Sequence, residues 1–322
     1  MNFDNLDFLG VNISGYPRFP GETDDSGRLS RAVNGNPNGV ILFPKGEYIL
    51  TRPLVIENHC SLYLAKEAKI RAAAKMEFLI DWNGGMENLF HDYGMFMTGG
   101  VIDGAGISGG IRLRNIHHFT MRDMWLKDCK TGLSVGSAED YKNYELMASN
   151  LYLRNEIGIP GSVGIDIPSH ADHYLDDIIV VDYETGFRIN SYSTYLSKCH
   201  SWVTDIIPDI KKTVAFDIGG GCVTLSDCYV DTSNTGVRVR GAHCRMSNVF
   251  GYHCDRYGGR EHTFISYETT APFYLMGGTF RGLKGADDIF FRGNCSPDLH
   301  MQWVRCEDLT GTEIIELCKK NG

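Results

Sequence analysis

A short strand recurs along the chain, in which an initial glycine is followed by apolar residues on both sides of one variable position. The motif is Gly-φ-x-φ, where φ is apolar and x varies. Successive copies start 21 to 32 residues apart, a spacing typical of solenoid coils and shorter than the roughly 40–45 residues of a propeller blade. Clear copies begin at Gly110, Gly132, Gly164, Gly186 and Gly236, and weaker ones at Ala215, Thr263 and Asp288.

A second apolar strand follows the first at a nearly constant distance. The fourth residue of this second strand lies 13 or 14 positions after the start of its coil. No helical pattern of roughly 10–15 residues alternates with the strands, which argues against a Rossmann-type fold. Two matched strands per repeat predict an all-β, single-stranded parallel β-helix of about eight coils or more. The second strands begin at Met121, Leu175, Leu196, Leu225 and Met246.

Two neighbouring positions of the second strand predict a corner and a core column. Asp and Asn tolerate left-handed backbone geometry, so the mostly Asp and Asn third position is expected at a corner of the coil. The fourth position is expected to be buried, with its cysteines as core residues. The third position holds Asp123, Asp177, Lys198, Asp227 and Asn248. The fourth position holds Met124, Ile178, Cys199, Cys228 and Val249.

The first hundred residues or so contain six motifs that occur together in a fixed order. These are Gly21-Glu-Thr-Asp-Asp-Ser, Leu29-Ser-Arg-Ala-Val, Gly39-Val-Ile-Leu-Phe-Pro-Lys-Gly-Glu-Tyr-Ile-Leu, Pro53-Leu-Val-Ile, Leu62-Tyr-Leu and Gly99-Gly-Val-Ile-Asp-Gly. Together they resemble the opening of the pectate-lyase-like β-helix superfamily, to which the polygalacturonases belong. The resemblance implies a right-handed solenoid. The polygalacturonase catalytic motifs do not appear in order, so no catalytic residue is transferred.

The resemblance also implies a short N-terminal helix that covers the open end of the first coil. We predict this helix near residues 26–34, with Asp24 and Asp25 capping its N-terminus. The whole chain, 1–322, is then one domain. Residues 1–45 form the N-terminal cap and first strands, 46–310 the coils, and 311–322 a C-terminal cap.

Charge and composition limit the binding partners and the cellular location that we expect for this protein. The net charge is −9 and no run of Lys or Arg occurs, which argues against binding nucleic acid. No apolar run approaches the ~20 residues of a membrane helix. Residues 1–7 lack the pattern of a signal peptide, and the ten cysteines fit reduced, buried thiols. The expected location is cytoplasmic, or secreted if a leader has been removed.

The register predicts a charged column on the outer face of the solenoid. Alternate residues of a strand face opposite ways, so each x position is expected to point outward. Stacked coils lie ~4.8 Å apart, which would align Asp166, Arg188, Asp217 and Arg238, with Ile265 and Phe290 in the last coils. Predicted substrate-binding residues are Arg240, Asn190 and Tyr267 from a second outward column, and His170, His173 and Tyr192 from adjoining loops.

This column suggests glycoside hydrolysis. Asp166 and Asp217 would lie roughly 9–10 Å apart at the backbone, close to the ~6.5–9.5 Å between the carboxyl groups of inverting glycosidases. One would protonate the leaving oxygen while the other activates water. Arg188 between them would favour the ionised form of at least one.

Two alternatives use the same residues. The resemblance to pectate-lyase-like lyases implies a polysaccharide lyase in which Arg188 or Arg238 is the base, with or without Ca²⁺. In the second alternative, these residues form a purely structural ladder of ion pairs, and each exposed pair contributes ~0.2–1 kcal/mol to the stability of the fold.

A loop late in the chain is a secondary candidate site, combining His253, Asp255, Glu261 and His262. We interpret His117-His118 as a turn, and predict no metal or cofactor apart from Ca²⁺ for a lyase. The sequence thus predicts a carbohydrate-active enzyme, a glycosidase acting on an oligo- or polysaccharide, with the lyase or a non-catalytic glycan-binding or tailspike-like solenoid as alternatives. The resemblance also suggests a homotrimer.

Overall fold

The computed structural model describes residues 10–85, 94–136, 143–254, 262–293 and 299–309. Ten parallel strands of these residues form the first of its two sheets. Each strand pairs with the equivalent strand one coil along the chain. The architecture is therefore the predicted right-handed parallel β-helix. The strands of this sheet are β4 (Leu54–Ile56), β7 (Phe78–Asn83), β10 (Gly109–Arg114), β12 (Thr131–Val135), β14 (Val163–Ile167), β16 (Thr185–Ile189), β19 (Val214–Ile218), β22 (Thr235–Val239), β24 (Thr263–Tyr267) and β26 (Ile289–Gly293).

The other strands of the described residues form a second parallel sheet that completes each coil. They are β1 (Val11–Asn12), β2 (Val40–Phe43), β3 (Gly46–Leu50), β5 (Ser61–Leu64), β6 (Ala68–Ala72), β8 (Phe96–Thr98), β9 (Val101–Asp103), β11 (Thr120–Lys127), β13 (Met147–Arg154), β15 (Tyr174–Val181), β17 (Tyr195–Ser197), β18 (His200–Trp202), β20 (Thr224–Ser226), β21 (Tyr229–Asp231), β23 (Cys244–Tyr252), β25 (Phe273–Arg281) and β27 (Leu299–Glu307). Short 3₁₀ helices span Ile13–Gly15 and Ile210–Lys212. No helix in the described ranges is long and apolar enough to span a membrane.

The predicted corner column is confirmed. All five of its residues have positive φ, between 51° and 58°. Their side chains bridge adjacent coils at this corner: the Asn248 amide donates to Asp227 Oδ1 at 2.6 Å, and Asn150 donates to Asp123 Oδ1 at 2.7 Å. Each left-handed residue therefore bends the second strand at the same point of every coil.

The predicted buried column is confirmed as well. Cys199 and Cys228 are fully buried in the core beside their apolar neighbours. Seven of the described cysteines are free thiols: Cys60, Cys129, Cys199, Cys222, Cys228, Cys244 and Cys254. Burial raises the pKa of Cys60, Cys129 and Cys244 to about 12, so these thiols stay protonated.

Glycine begins most copies of the repeat because the two sheets approach closely at this point. A Cβ on Gly164 would lie 2.4 Å from Val180 Cγ1, and one on Gly186 would lie 2.2 Å from Ser201 Oγ. In the coil of Phe264 the facing residue is Gly251 instead, where a Cβ would lie 2.7 Å from the Phe264 ring. In this coil the glycine is thus on the facing strand β23, and the large side chain takes the position that glycine holds in the other coils.

This exchange makes the predicted register of the last two coils wrong. Strand pairing aligns Thr235 with Thr263, and Thr263 with Ile289, which places Phe264 and Phe290 at the glycine position. The outward positions belong to Ser266 and Arg292. Ile265 and Phe290, expected to face outward, are buried.

The predicted capping helix is confirmed as α1 (Ser26–Asn34), which buries Leu29, Ala32 and Val33. The predicted capping role of Asp25 is wrong, because its side chain makes no cap hydrogen bond. Its buried carboxylate instead accepts hydrogen bonds from Arg28 Nε at 2.6 Å and from the Ile49 amide at 2.7 Å. Asp24 does cap, accepting from the Ser26 amide at 2.6 Å.

The Asp25→Ala variant tests whether this carboxylate anchors the cap to strand β3. Asp25 pairs with both Arg18 and Arg28. Removing its buried charge leaves these two arginines without their acceptor, so we expect the free energy of unfolding to fall by about 3–5 kcal/mol. Asp24→Ala is the matched control and should cost only about 1 kcal/mol, as for loss of a helix cap. Urea unfolding measures both. An Asp24 effect equal to the Asp25 effect would contradict the assignment.

Candidate functional site

The predicted charged column lies on the outer face of the ten-stranded sheet. Strand pairing aligns Asp166 with Arg188, Arg188 with Asp217, and Asp217 with Arg238. We call the whole row the polar column. Its members are Asp81, Arg112, Ser134, Asp166, Arg188, Asp217, Arg238, Ser266 and Arg292.

Asp166 is held by the arginine of the next coil. Arg188 Nε donates to Asp166 Oδ1 at 2.8 Å and Nη2 donates to Oδ2 at 2.5 Å. This two-point pair raises the pKa of Arg188, although partial burial opposes the effect. The pair is only partly exposed, which shields it from water.

Asp217 pairs diagonally rather than with its neighbours in the polar column. Arg240 Nε donates to Asp217 Oδ1 at 2.8 Å and Nη2 to Oδ2 at 3.1 Å. Gly219 makes this possible, since a Cβ there would lie 2.1 Å from Asn190 Oδ1 and 3.0 Å from Arg240 Nη2. The Arg240 side chain therefore crosses the sheet and also reaches Asn190 Oδ1 at 3.4 Å.

Arg238 has a different partner from the one that simple alternation predicts. Its Nε lies 3.4 Å from Glu268 Oε1. At the other end of the column, Asp81 accepts from both Arg112 and Arg114. Every carboxylate of the polar column is thus paired with arginine. Asp166 and Asp217 can orient or stabilise charge as they stand, but general acid catalysis requires one to leave its arginine and carry a proton.

Two of the predicted flanking residues lie beside the polar column. His170 follows β14, and its Nδ1 lies 2.8 Å from Ser169 Oγ. Its ring meets the Tyr144 ring edge-on at 5.8 Å. Tyr192 follows β16 and is 64% exposed, which leaves its ring available for contact with a ligand.

His173 and Tyr267 were predicted on the outer surface, and for both this placement is wrong. His173 is completely buried, and its Nδ1 accepts from the Leu146 amide at 3.3 Å. The preceding residue, Asp172, is left-handed, which turns the next side chain inward. Tyr267 aligns with the inward residue Val239, lies in the core, and donates from its hydroxyl to the Ala271 carbonyl.

The described residues of the secondary candidate site, His253 and His262, form a buried hydrogen-bond network with Asp288. His253 Nδ1 lies 2.7 Å from Asp288 Oδ2, and the His262 amide donates to Asp288 Oδ1 at 3.0 Å. Burial would raise the pKa of Asp288, but hydrogen bonds from His253 and the Leu283 amide hold it below its usual value. Both histidines are buried. Asp255 and Glu261 lie outside the described residues.

A row of aromatic side chains, which the sequence analysis did not predict, lies on the second sheet. We call it the aromatic stripe. Trp125 meets Tyr152 at 5.5 Å, His200 stacks on Tyr229 at 4.2 Å, and Tyr229 meets Phe250 at 5.0 Å, all between ring centroids. The signal was present in the sequence, one position beyond the buried column. The stripe consists of Trp125, Tyr152, His200, Tyr229 and Phe250, and Ile179 separates Tyr152 from His200 in the row.

An acid lies beside the aromatic stripe. The Tyr229 hydroxyl donates to Asp231 Oδ2 at 3.1 Å. Burial raises the pKa of Asp231, although hydrogen bonds from Thr232 and Tyr229 oppose the shift. Trp202, one coil away, aligns with Asp231 on the same face. Exposed aromatic rings beside an acid form a surface suited to the apolar faces of sugars.

A hollow of about 1050 Å³ opens at the start of strands β7, β10 and β12. Glu77 and Lys130 are among its charged lining residues. Glu77 also accepts from Arg112 Nη1 at 2.9 Å, which connects the hollow to one end of the polar column. Asp166 and Asp217 do not line it.

Solved structures that are similar to this chain include proteins of two viruses and of a fungus. A protein of Geobacillus virus E2 is 16% identical with a TM-score of 0.60, over 95% of this chain and 62% of that one. An Aspergillus tubingensis endo-xylogalacturonan hydrolase is 13% identical with a TM-score of 0.57, over 91% of each chain. An Acinetobacter phage tailspike is 9% identical with a TM-score of 0.61, over 95% and 62%.

These structures and this chain share the fold of a right-handed parallel β-helix. At these identities the likeness shows the fold alone, and this chain spans less than two thirds of the two viral proteins. No family model and no curated protein matches the sequence. The function of this β-helix therefore has to be argued from its own residues.

Buried His173 predicts a pH dependence of stability. Burial lowers the pKa of His173 to about 4. The unfolded chain, with a histidine pKa of ~6.5, binds a proton that the native state excludes, so stability falls as the pH drops from ~6.5 towards 4. Over that window we expect a loss of up to about 3 kcal/mol from this residue.

The comparison of His173→Gln with wild type isolates this contribution. The variant should lose less stability than wild type between about pH 7 and pH 4.5, because glutamine does not titrate. His243→Gln, at an exposed position, is the control and should behave like wild type. Urea unfolding at both pH values gives the result. Equal losses in His173→Gln and wild type would rule out the assignment.

Proposed function

We propose that this protein is a carbohydrate-active β-helix that binds a polysaccharide along the central part of the polar column, from Asp166 to Arg238, and hydrolyses it there. The observation that carries the proposal is the placement of two carboxylates, Asp166 and Asp217, on one outer face. They are separated by a single strand that presents Arg188. Two inter-strand steps of ~4.8 Å put their backbones roughly 9.6 Å apart. That spacing suits an inverting glycosidase, in which a water molecule fits between substrate and base.

The structures of the same fold support a polysaccharide substrate. The Aspergillus tubingensis protein is an endo-xylogalacturonan hydrolase and covers nearly the whole of this chain. The phage protein is a tailspike. Their identities are low, so the substrate remains our proposal. It fits the elongated face that the stacked coils present.

The ion pairs define what substrate binding must change. A general acid must hold a proton, whereas Asp166 and Asp217 each engage an arginine through both oxygens. A bound sugar with a carboxylate or several hydroxyls would compete for Arg188 or Arg240 and release one acid. The other carboxylate, still ionised, would then act as the base for water.

The alternative of a lyase with Arg188 as base is less well supported. Hydrogen bonding to Asp166 raises the pKa of Arg188 above its already high value. An arginine with a raised pKa holds its proton more tightly, which opposes proton abstraction from a sugar. Arg240 is affected in the same way by Asp217.

A second candidate function is glycan binding without cleavage. It is favoured by the full pairing of the carboxylates and by the aromatic stripe, where sugar rings would stack on Trp125 and Tyr229. In that case the polar column stabilises the stacked coils, as in the ladder interpretation. A homotrimer would be compatible with either function.

The decisive assay incubates the protein with neutral and uronate glycans, with and without EDTA. Hydrolysis releases reducing ends, whereas a lyase also produces the ultraviolet absorbance of an unsaturated uronate. We expect reducing ends alone, unaffected by EDTA. Asp166→Asn and Asp217→Asn should each lower the rate by about 100-fold or more, as for loss of general acid–base catalysis.

Asp81→Asn is the matched control for these variants. Asp81 occupies the same column and is also paired with arginine, but lies coils away from the proposed centre. It should keep the wild-type rate. EDTA-sensitive unsaturated product would replace hydrolysis with a lyase. Retention on a glycan column without any product, lost in Trp125→Ala, would establish binding alone.

A further inference from the structure

Two adjacent histidines and a glutamate converge at one corner of the solenoid. His117 and His118 lie in the turn after β10, and Glu145 lies one coil further on, before β13. His117 Nε2 is 3.1 Å from Glu145 Oε2, and His118 Nε2 contacts the same oxygen. The two imidazole rings are stacked, with centroids 4.2 Å apart. One ligand atom from each of the three residues falls within 4.8 Å of the others.

Backbone geometry explains why neighbouring side chains converge. Successive residues of a strand point to opposite faces, so two adjacent histidines would normally diverge. His118 has a φ of 50° and Glu145 a φ of 56°, both left-handed. The bridge between His117 and Tyr144 brings Glu145 level with His118 in the next coil. The same stacking constraint that forms the corners thus assembles the cluster.

We propose that His117, His118 and Glu145 bind one divalent transition-metal ion of the zinc class. Neutral imidazoles and a carboxylate are ligands that suit Zn²⁺, whereas Ca²⁺ and Mg²⁺ prefer oxygen donors alone. Metal–ligand bonds of ~2.0–2.1 Å in a tetrahedral site place ligand atoms roughly 3.3 Å apart. The separation of 3.1 Å between His117 Nε2 and Glu145 Oε2 is close to that value.

The site keeps one side open. The side chain of His117 is 15% exposed, while those of His118 and Glu145 are about one-third exposed, at 37% and 33%. Three protein ligands leave a fourth position for water or a ligand, the arrangement of a catalytic rather than a closed structural zinc site. Arg114 of strand β10, which pairs with Asp81 of the polar column, lies three residues before His117 in the sequence. The inference does not depend on the proposed hydrolysis.

Metal binding can be measured directly on the full chain without a polyhistidine tag. The protein is stripped with a chelator, dialysed against Zn²⁺, and its zinc content determined by atomic absorption. We expect one zinc per chain. His118→Asn and Glu145→Gln should each weaken zinc binding by at least about tenfold, and asparagine keeps the left-handed backbone. Because a metal that binds the native state stabilises it, zinc should also raise the unfolding temperature of wild type and have little effect on that of the two site variants.

His243→Asn is the matched control, because His243 is another left-handed, exposed histidine at a distant coil. It should bind zinc like wild type. Unfolding curves without metal establish that each variant is folded. The proposal is overturned if wild type binds no zinc, or if zinc binding survives in both site variants, which would point to exposed thiols such as Cys222.

Discussion

Hydrogen bonding between successive coils is the constraint on which the rest of this structure depends. Each strand of the ten-stranded sheet pairs in parallel with its equivalent in the next coil, so equivalent residues stack at ~4.8 Å along the solenoid. The left-handed corner residues, such as Asp177 and Asp227, maintain this register by bending every coil at the same point. Core residues then fall into columns, as Phe187 does on Phe216, with ring centroids 4.8 Å apart.

The same stacking places charged side chains within reach of one another on the outside. Opposite charges in adjacent coils are close enough to pair at that spacing, as Asp166 does with Arg188. The surface that carries these stabilising pairs therefore also carries Asp166 and Asp217. The proposed catalysis and the structural pairing would compete for these side chains, and substrate binding would have to release one of them from its arginine.

Polar groups in the interior follow a different rule. Asp25 and Asp288 are fully buried, and each accepts both side-chain and backbone hydrogen bonds that join distant segments. Burying a charge is unfavourable unless it is paired, so these acids hold the cap and the late coils in place. At the corner formed by His118 and Glu145, comparable polar groups lie partly exposed. A corner can therefore offer ligands to an ion where the interior cannot.

The sequence by itself determined the fold, the capping helix and most of the columns, because period and polarity specify where a residue falls within a coil. It placed Asp166 and Asp217 on one face for that reason. Tertiary structure decided which partners meet. Arg240 rather than Arg238 holds Asp217 because Gly219 leaves it room, and Phe264 replaces a glycine because Gly251 faces it. Such choices depend on the space between side chains that are distant in sequence, which a repeat pattern does not encode.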